Sequence, residues 1–325
     1  MNRRQFLHRT SLCAAAALLP STTTGAAPTQ PILDAHIHLF DPTRAGGVPW
    51  PAPSDTVLYK PALPPRYQRL AQPFGIRGAI AIEASPLTSD NQWLLDLARN
   101  HPFIVGVIGD LVPGTPNYAA DLDRLHANPL FLGFRTGNLW QRDLAQDILR
   151  PGFLDGFRAL AQAGLVFETA NPDNQLIHTL SKIADAIPDL RIVLDHLPNA
   201  QFPTNPEAPN MHDFYLKHLA ARPNFFIKLS EIPRRANGKL ITNPTAYRDS
   251  LEHIWDTFGE DRILFGSDWP NSDTTATFAE TFSITRQYIS TKSAQAQHKF
   301  YWQNSRNAYH WQPRTPDQHT TSESH

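Results

Sequence analysis

The sequence predicts an α/β protein, a single (β/α)8 TIM barrel with long βα loops, and three observations predict it. Eight strand-length runs rich in apolar and β-branched residues recur at roughly 25- to 45-residue intervals. Several of them, AIAIEA, FIVGVIG and RIVLDH, are apolar on both faces, as strands covered on both sides of a parallel sheet must be. Helix-like stretches lie between them, and eight strand–helix units in about 280 residues match the size of a closed barrel. An open doubly wound sheet would carry a Gly-rich dinucleotide turn after its first strand, and none is present.

In chain order the runs are 32–39, 78–84, 103–110, 131–136, 165–170, 191–196, 225–230 and 263–268. Helix starts are marked by Ser89-Asp90 before NQWLLDLARN, Asn117 before YAADLDRLHA and Asn210 before MHDFYLKHLAA, residues whose side chains cap free N–H groups. Each run ends on polar residues: His36 and His38, Glu83, Asp110, Arg135, Glu168, His196, Glu231 and Asp268. Barrel enzymes place their chemistry at that C-terminal rim. No low-complexity segment interrupts the chain, so residues 28–311 are expected to form one barrel domain and the polar stretch 312–325 a disordered tail.

Composition narrows the function. Of 325 residues, 29 are basic and 30 acidic, for a formal charge of −1, which excludes nucleic acid and anionic membrane surfaces as general partners. With 29 prolines against 16 glycines the chain favours rigid irregular loops over long helices. Cys13 is the single cysteine, so the barrel has neither a disulfide nor a thiolate ligand or nucleophile.

Cys13 lies in the N-terminal address. Arg3, Arg4 and Arg9 precede an apolar segment of about ten residues, too short for a bilayer core that needs roughly twenty, and the small polar run STTTGAAP follows. The Arg3-Arg4 pair before Gln5, Phe6 and Leu7 resembles a twin-arginine signal. Residues 1–27 are therefore expected to be a cleaved signal peptide, with the twin-arginine export machinery as a partner, a bacterial periplasmic or secreted location and no stable membrane anchor. The alternative is an uncleaved N-terminus on a cytosolic protein.

His36 and His38 in ILDAHIHLF are two apart, and a strand's period of two points both imidazoles to one side, toward the barrel axis if Asp34 points there also. Two neutral imidazoles converging there can hold a divalent metal. ILFGSDWP delivers Asp268 to the rim, and strands one and eight are neighbours in a closed barrel, which brings it beside them. A carboxylate there binds a metal or moves a proton between water and a leaving oxygen. Alternation lets one of Asp195 and His196 face inward; His196 is expected there, with Asp195 among the helices or orienting a neighbour. Arg135 in FLGFRTG suits a carboxylate or a carbonyl that gains negative charge.

Substrate contacts are expected from Glu83 and from two loops. The segment 40–61 is long for a βα connection and brings Trp50, Tyr59 and Lys60 near the rim as a candidate lid. EIPRRANGKLITNP contributes Arg234 and Arg235, which would grip a carboxylate or sugar hydroxyls, or be simply solvated.

ILDAHIHLF, GFRTG, VLDHLPNA, FFIKLSE and DRILFGSDWPNS, in that order, resemble the amidohydrolase-related branch of the amidohydrolase superfamily, in its group rich in sugar-acid lactonases and pyrone-dicarboxylate lactonase. The resemblance implies a (β/α)8 fold and a hydrolytic site at His36, His38, His196, Arg135 and Asp268. It departs at GLVFETANP, where Glu168 and Thr169 stand in place of the histidine of metal-loaded relatives. Two cofactor states stay open: one divalent ion, Zn or Mn, on His36, His38, Asp268 and Glu168, or metal-free hydrolysis.

The expected reaction is hydrolysis of a lactone of a sugar acid or a carboxylated ring, with Asp268, assisted by His196, activating water and Arg135 polarising the carbonyl. The alternatives are a metal-dependent decarboxylase on the same barrel and a non-catalytic periplasmic ligand-binding barrel. Oligomeric state is not legible.

Overall fold

The structure is a computed structural model that describes residues 30–196 and 211–319. The signal-peptide expectation for residues 1–27 lies outside them. Eight strands run in chain order around one parallel sheet: β1 (Ile32–His38), β2 (Ile76–Ile82), β3 (Ile104–Asp110), β4 (Phe131–Arg135), β5 (Val166–Thr169), β6 (Arg191–Leu194), β7 (Phe225–Leu229) and β8 (Ile263–Phe265). Every neighbouring pair from β1 to β8 is parallel. Closure comes just past β8, where Ile37 bridges Trp269, the His38 N–H donates to the Trp269 carbonyl at 2.7 Å and the Asp268 N–H donates to the His36 carbonyl at 2.9 Å. Gly266 permits this approach, because a Cβ there would lie 2.8 Å from that of His36.

The three expected helices form as Thr88–Asn100, Tyr118–His126 and Met211–Ala220, but Ser89 and Asp90 lie inside the first, whose N-cap is Leu87, and Asn117 precedes the second without a side-chain capping bond. The strands are shorter than their sequence runs chiefly at the C-terminal end: the run 263–268 holds three paired residues and the run 191–196 four. The remainder turns into the rim.

Two apolar layers sandwich the sheet. Outside it, Tyr67, Phe157, Phe167, Leu180 and Phe265 belong to the core shared with the helices. Inside it, Leu33, Ile80, Val105, Val166, Val193 and Phe226 fill the barrel with Trp302, Tyr309 and Trp311 from the C-terminal segment. That segment corrects the boundary expected for the tail. Instead of fraying at 312, it packs back: Arg314 Nη1 donates to the carbonyls of Ala98 and Ile104 at 2.5 and 2.8 Å, and the buried Gln318 Nε2 donates to those of Arg77 and Pro102 at 3.0 and 3.1 Å. Polar composition reads as a loop, but these side chains satisfy carbonyls beneath β2 and β3. Among the described residues, no helix is long and apolar enough to cross a membrane.

Candidate active site

A register irregularity between Asp34 and Ile37 interrupts the pairing of β1 with β2. It shifts the phase of the strand, so that Leu33 and Ala35 join the inner core, His36 and His38 also face inward, and Asp34 does not accompany them. Asp34 turns to the helix layer, where its Oδ2 accepts from the Tyr67 hydroxyl at 2.5 Å and its Oδ1 from the Ser267 N–H at 2.9 Å. The condition placed on the imidazoles, a shared direction with Asp34, is thus corrected while their convergence stands.

Asp268 meets them. Its Oδ1 lies 3.2 Å from His36 Nε2 and 3.1 Å from His38 Nε2, and the two Nε2 atoms are 3.2 Å apart. His196 Nε2 is 3.9 Å from the same oxygen, while its Nδ1 pairs with Ser230 Oγ at 2.8 Å. Asn271 Nδ2 bridges two carboxylates, donating to Asp268 Oδ2 at 2.7 Å and to Glu231 Oε1 at 2.8 Å.

Both Asp195 and His196 reach the interior, against the alternation rule. Asp195 lies below the rim, its Oδ1 3.1 Å from Lys228 Nζ and 3.4 Å from His36 Nδ1. His196 follows with a left-handed backbone, φ 55°, which breaks the period of two after β6 ends at Leu194. The same device recurs around the rim: Asn171, Glu231 and Asp268 have φ of 57°, 52° and 58°, and all line the cavity with His196. Non-glycine residues held there cost on the order of 1–3 kcal/mol each and cluster where function demands a particular side-chain direction.

The cavity holds about 190 Å³. Trp50, from the long loop after β1, and Trp140 form part of its wall, with Trp50 edge-on to His38 at 5.9 Å between ring centres. Tyr59 and Lys60 are exposed and do not line it. Arg135 does, held by Glu83 through Nε at 2.8 Å and Nη2 to the backbone carbonyl at 3.0 Å, and by Asp195 at 3.4 Å.

Three sets of expected residues sit away from the open cavity. Glu83 is buried behind the wall and spends its carboxylate on Arg135, the Ser85 N–H and Trp140 Nε1, so it positions these groups. Glu168 faces inward but lies deeper than the imidazole–Asp268 cluster, accepting from Lys228 Nζ and the Tyr309 hydroxyl, both at 2.7 Å, and among the described residues it does not converge with the donors that could hold a metal. Arg234 and Arg235 are exposed outside the cavity: the loop turns outward through the hairpin of Arg235–Ala236 with Lys239–Leu240, where Arg235 Nη2 donates to the Thr275 carbonyl at 2.7 Å.

Lys228, which the sequence reading passed over, organises the floor of the site. Its ammonium is fully buried, donates to Glu168 Oε1 at 2.7 Å, and lies 3.1 Å from Asp195 Oδ1 and 3.2 Å from His36 Nδ1. The signal was there: a charged residue at the inward spacing Phe226, Lys228, Ser230 inside an otherwise apolar strand. Trp140 and Asn271 carry no such signal.

Electrostatics follow from burial. His36 is pushed well below its usual pKa by burial and then by the Lys228 charge; His38 is lowered to about 4 by burial and Arg135. Both imidazoles are neutral at pH 7, with lone pairs available. Burial alone would raise Asp195, but the Lys228 ammonium and His36 hold it well below the usual carboxylate range, whereas burial and the Asp195 charge raise Glu168 to about 8. Asp268 is raised well above that range by burial and by Glu231.

His36, His38 and Asp268 fit a divalent ion. A tetrahedral ion with ligands at 2.0–2.2 Å separates them by about 3.3–3.6 Å, and the three donor atoms, 3.1–3.2 Å apart, lie a few tenths of an ångström inside that spacing. Asp268 Oδ1 is buried without a hydrogen-bond partner, as an unshared ligand oxygen would be.

A closed parallel barrel whose first strand carries paired imidazoles to an aspartate after its last defines a class of barrel hydrolases. The amidohydrolase family model matches residues 33–311, and the chain belongs to the amidohydrolase family. An L-fucono-1,5-lactonase of Burkholderia ambifaria is 28% identical over 244 residues, covering 74% of this chain and 80% of that protein. One from Burkholderia multivorans is 27% identical over 282 residues, covering 83% and 92%. Among solved structures, a zinc-bound amidohydrolase of Burkholderia multivorans superposes with a TM-score of 0.73 at 22% identity, covering 87% of this chain and all of that one. A structure described as a probable 2-pyrone-4,6-dicarboxylic acid hydrolase, from Acinetobacter baumannii with citric acid bound, gives 0.65 at 17% identity, covering 86% and 99%.

Proposed function

We propose that the protein is a hydrolase that opens a lactone ring with a water activated by Asp268. One observation carries the reading: Asp268 Oδ1, without a hydrogen-bond partner, converges on His36 and His38 in a cavity that Arg135 also lines. The lactonase names of the two Burkholderia relatives support the same reaction class.

Ionised Asp268 takes a proton from water as its oxygen attacks the ring carbonyl carbon. Arg135 spends three of its N–H groups on Glu83 and Asp195, which leaves two of the guanidinium's five for the carbonyl oxygen as negative charge develops there. When the ring C–O bond breaks, Asp268 returns its proton to the departing alkoxide, and the new carboxylic acid ionises and releases one proton to solution. His196, oriented by Ser230 with its Nε2 3.9 Å from Asp268 Oδ1, is placed to assist Asp268. A divalent ion on His36, His38 and Asp268, when bound, lowers the pKa of the attacking water and polarises the carbonyl; the zinc-bound neighbour supports zinc as that ion.

A lactone panel followed by proton release, with metal analysis of the same sample, tests this: one proton per lactone consumed is expected. Carbon dioxide release from a carboxylated substrate would transfer the protein to the decarboxylases. Stabilisation by lactones without turnover would make it a binding barrel. For its address, the Arg3-Arg4 signal supports twin-arginine export to the periplasm. Amino-terminal sequencing of periplasmic protein checks it, and an intact Met1 refutes it.

A further inference from the structure

His36 meets two opposed partners at one nitrogen. Its Nδ1 lies 3.2 Å from the Lys228 ammonium, which only donates, and 3.4 Å from Asp195 Oδ1, which when ionised only accepts. A neutral imidazole carries one proton, so the two partners call for different tautomers. With Lys228 donating to Nδ1 the proton sits on Nε2, and that nitrogen has no lone pair for an ion. With Nδ1–H donating to Asp195, Nε2 is free to coordinate.

His38 has no such choice. The Ile82 carbonyl, 3.2 Å from its Nδ1, can only accept, which puts the proton there and leaves the Nε2 lone pair open. His36 Nε2 is 3.2 Å from that lone pair. One continuous chain therefore satisfies both rings without an ion: Lys228 donates to His36, His36 Nε2–H to His38 Nε2, and His38 Nδ1–H to the Ile82 carbonyl. Coordination by both Nε2 atoms breaks its first two links. Lys228 is fixed in place by Glu168 Oε1 at 2.7 Å and Asp195 Oδ1 at 3.1 Å, and all three side chains are fully buried, so water screens its charge little.

We infer that Lys228 is an internal cation that competes with a divalent ion for His36: it holds the imidazole as the Nε2–H tautomer and so sets how weakly the His36, His38 and Asp268 centre takes a metal. It acts through His36 and is a positioning residue. This rests on the reading that those three donors accept an ion, and holds whichever lactone is opened.

Zinc affinity of the full chain, measured by competition with a chromophoric chelator, tests it. Two variants probe the lysine: Lys228→Gln, and Lys228→Gln with Glu168→Gln, which removes the ion pair together. Both should bind zinc about 10- to 100-fold more tightly than wild type, the range seen when the partner of a ligating histidine is changed. Asp195→Asn, which weakens the acceptor for Nδ1–H, should bind it more weakly. Damage to the fold loosens a metal site, so tighter binding is a readout that a purely structural lysine would not give. Nitrogen NMR of histidine-labelled protein, with His36 assigned by the signal lost in His36→Asn, should find its proton on Nε2 after chelator treatment and on Nδ1 after zinc is added. Equal or weaker zinc binding in both Lys228 variants, or an Nδ1–H His36 in chelator-treated wild type, would overturn the inference while lactone hydrolysis, read separately by proton release, stands. No zinc uptake by wild type or by either Lys228 variant would remove the metal centre and the inference together.

Discussion

Along β7 the inward face reads Phe226, Lys228, Ser230, and along β1 it passes from Leu33 and Ala35 to His36 and His38. Within one pleat the barrel interior changes from an apolar floor, plugged by Trp302, Tyr309 and Trp311, to a layer of ionisable groups under a strained rim. The floor buries area that stabilises the fold. The rim costs stability, through left-handed residues, a carboxylate oxygen without a hydrogen-bond partner and imidazoles stripped of water. The difference teaches that the same strands serve two ends with opposite requirements, joined by the Lys228 network.

Single substitutions can break that comparison. Asp268→Asn should lower kcat by about 10²- to 10⁴-fold and leave the melting temperature unchanged or higher, because it removes a buried carboxyl group raised well above its usual pKa. Trp302→Ala, on the fully buried floor, should do the reverse: a loss of about 3–5 kcal/mol in urea denaturation with kcat per folded molecule retained. If both variants lose activity and stability together, the two ends are not separable. Lys228→Met sits at the junction. It leaves Asp195 and Glu168 buried without their ammonium partner, and should cost about 3–5 kcal/mol as well as activity, since His36 loses a neighbour.

The smallest effect is in pH. A base must be ionised, and burial and Glu231 hold Asp268 above its ordinary value of 3.8, so kcat/KM should fall on acidification at a pH above that. His38, lowered to about 4, stays neutral through that range. Removing the Glu231 charge should move the acid limb to lower pH; an unmoved limb in Glu231→Gln would show that some other group controls it.

Much of this was legible. Apolar runs on both faces marked the strands, and the spacing of His36 and His38 with the distant GSDWP segment marked the three residues that meet. What was not legible failed for one reason. The period of two holds only where the backbone is regular, and it is interrupted at Asp34–Ile37 in β1 and again at His196, Glu231 and Asp268. So Asp34, whose inward direction was the condition placed on the imidazoles, turns to the helix layer, while Asp195, expected among the helices or orienting a neighbour, faces inward and takes the second role against His36 and Arg135. Glu168, a metal ligand only on the condition that it faces inward, does face inward, but nothing local revealed that Lys228 and Tyr309 occupy it.

The amino-acid sequence by itself determined the eight strands, their order, the apolar content of the interior and the stock of imidazole, carboxylate and guanidinium groups at strand ends, because hydrophobic period and residue chemistry are local properties. Only the tertiary structure decided which groups share a cavity and which are consumed by one another. Ring closure brings Asp268 to β1, and left-handed backbone residues aim His196 and Glu231. Direction and distance in a closed sheet depend on all eight strands at once, so no local stretch contains them.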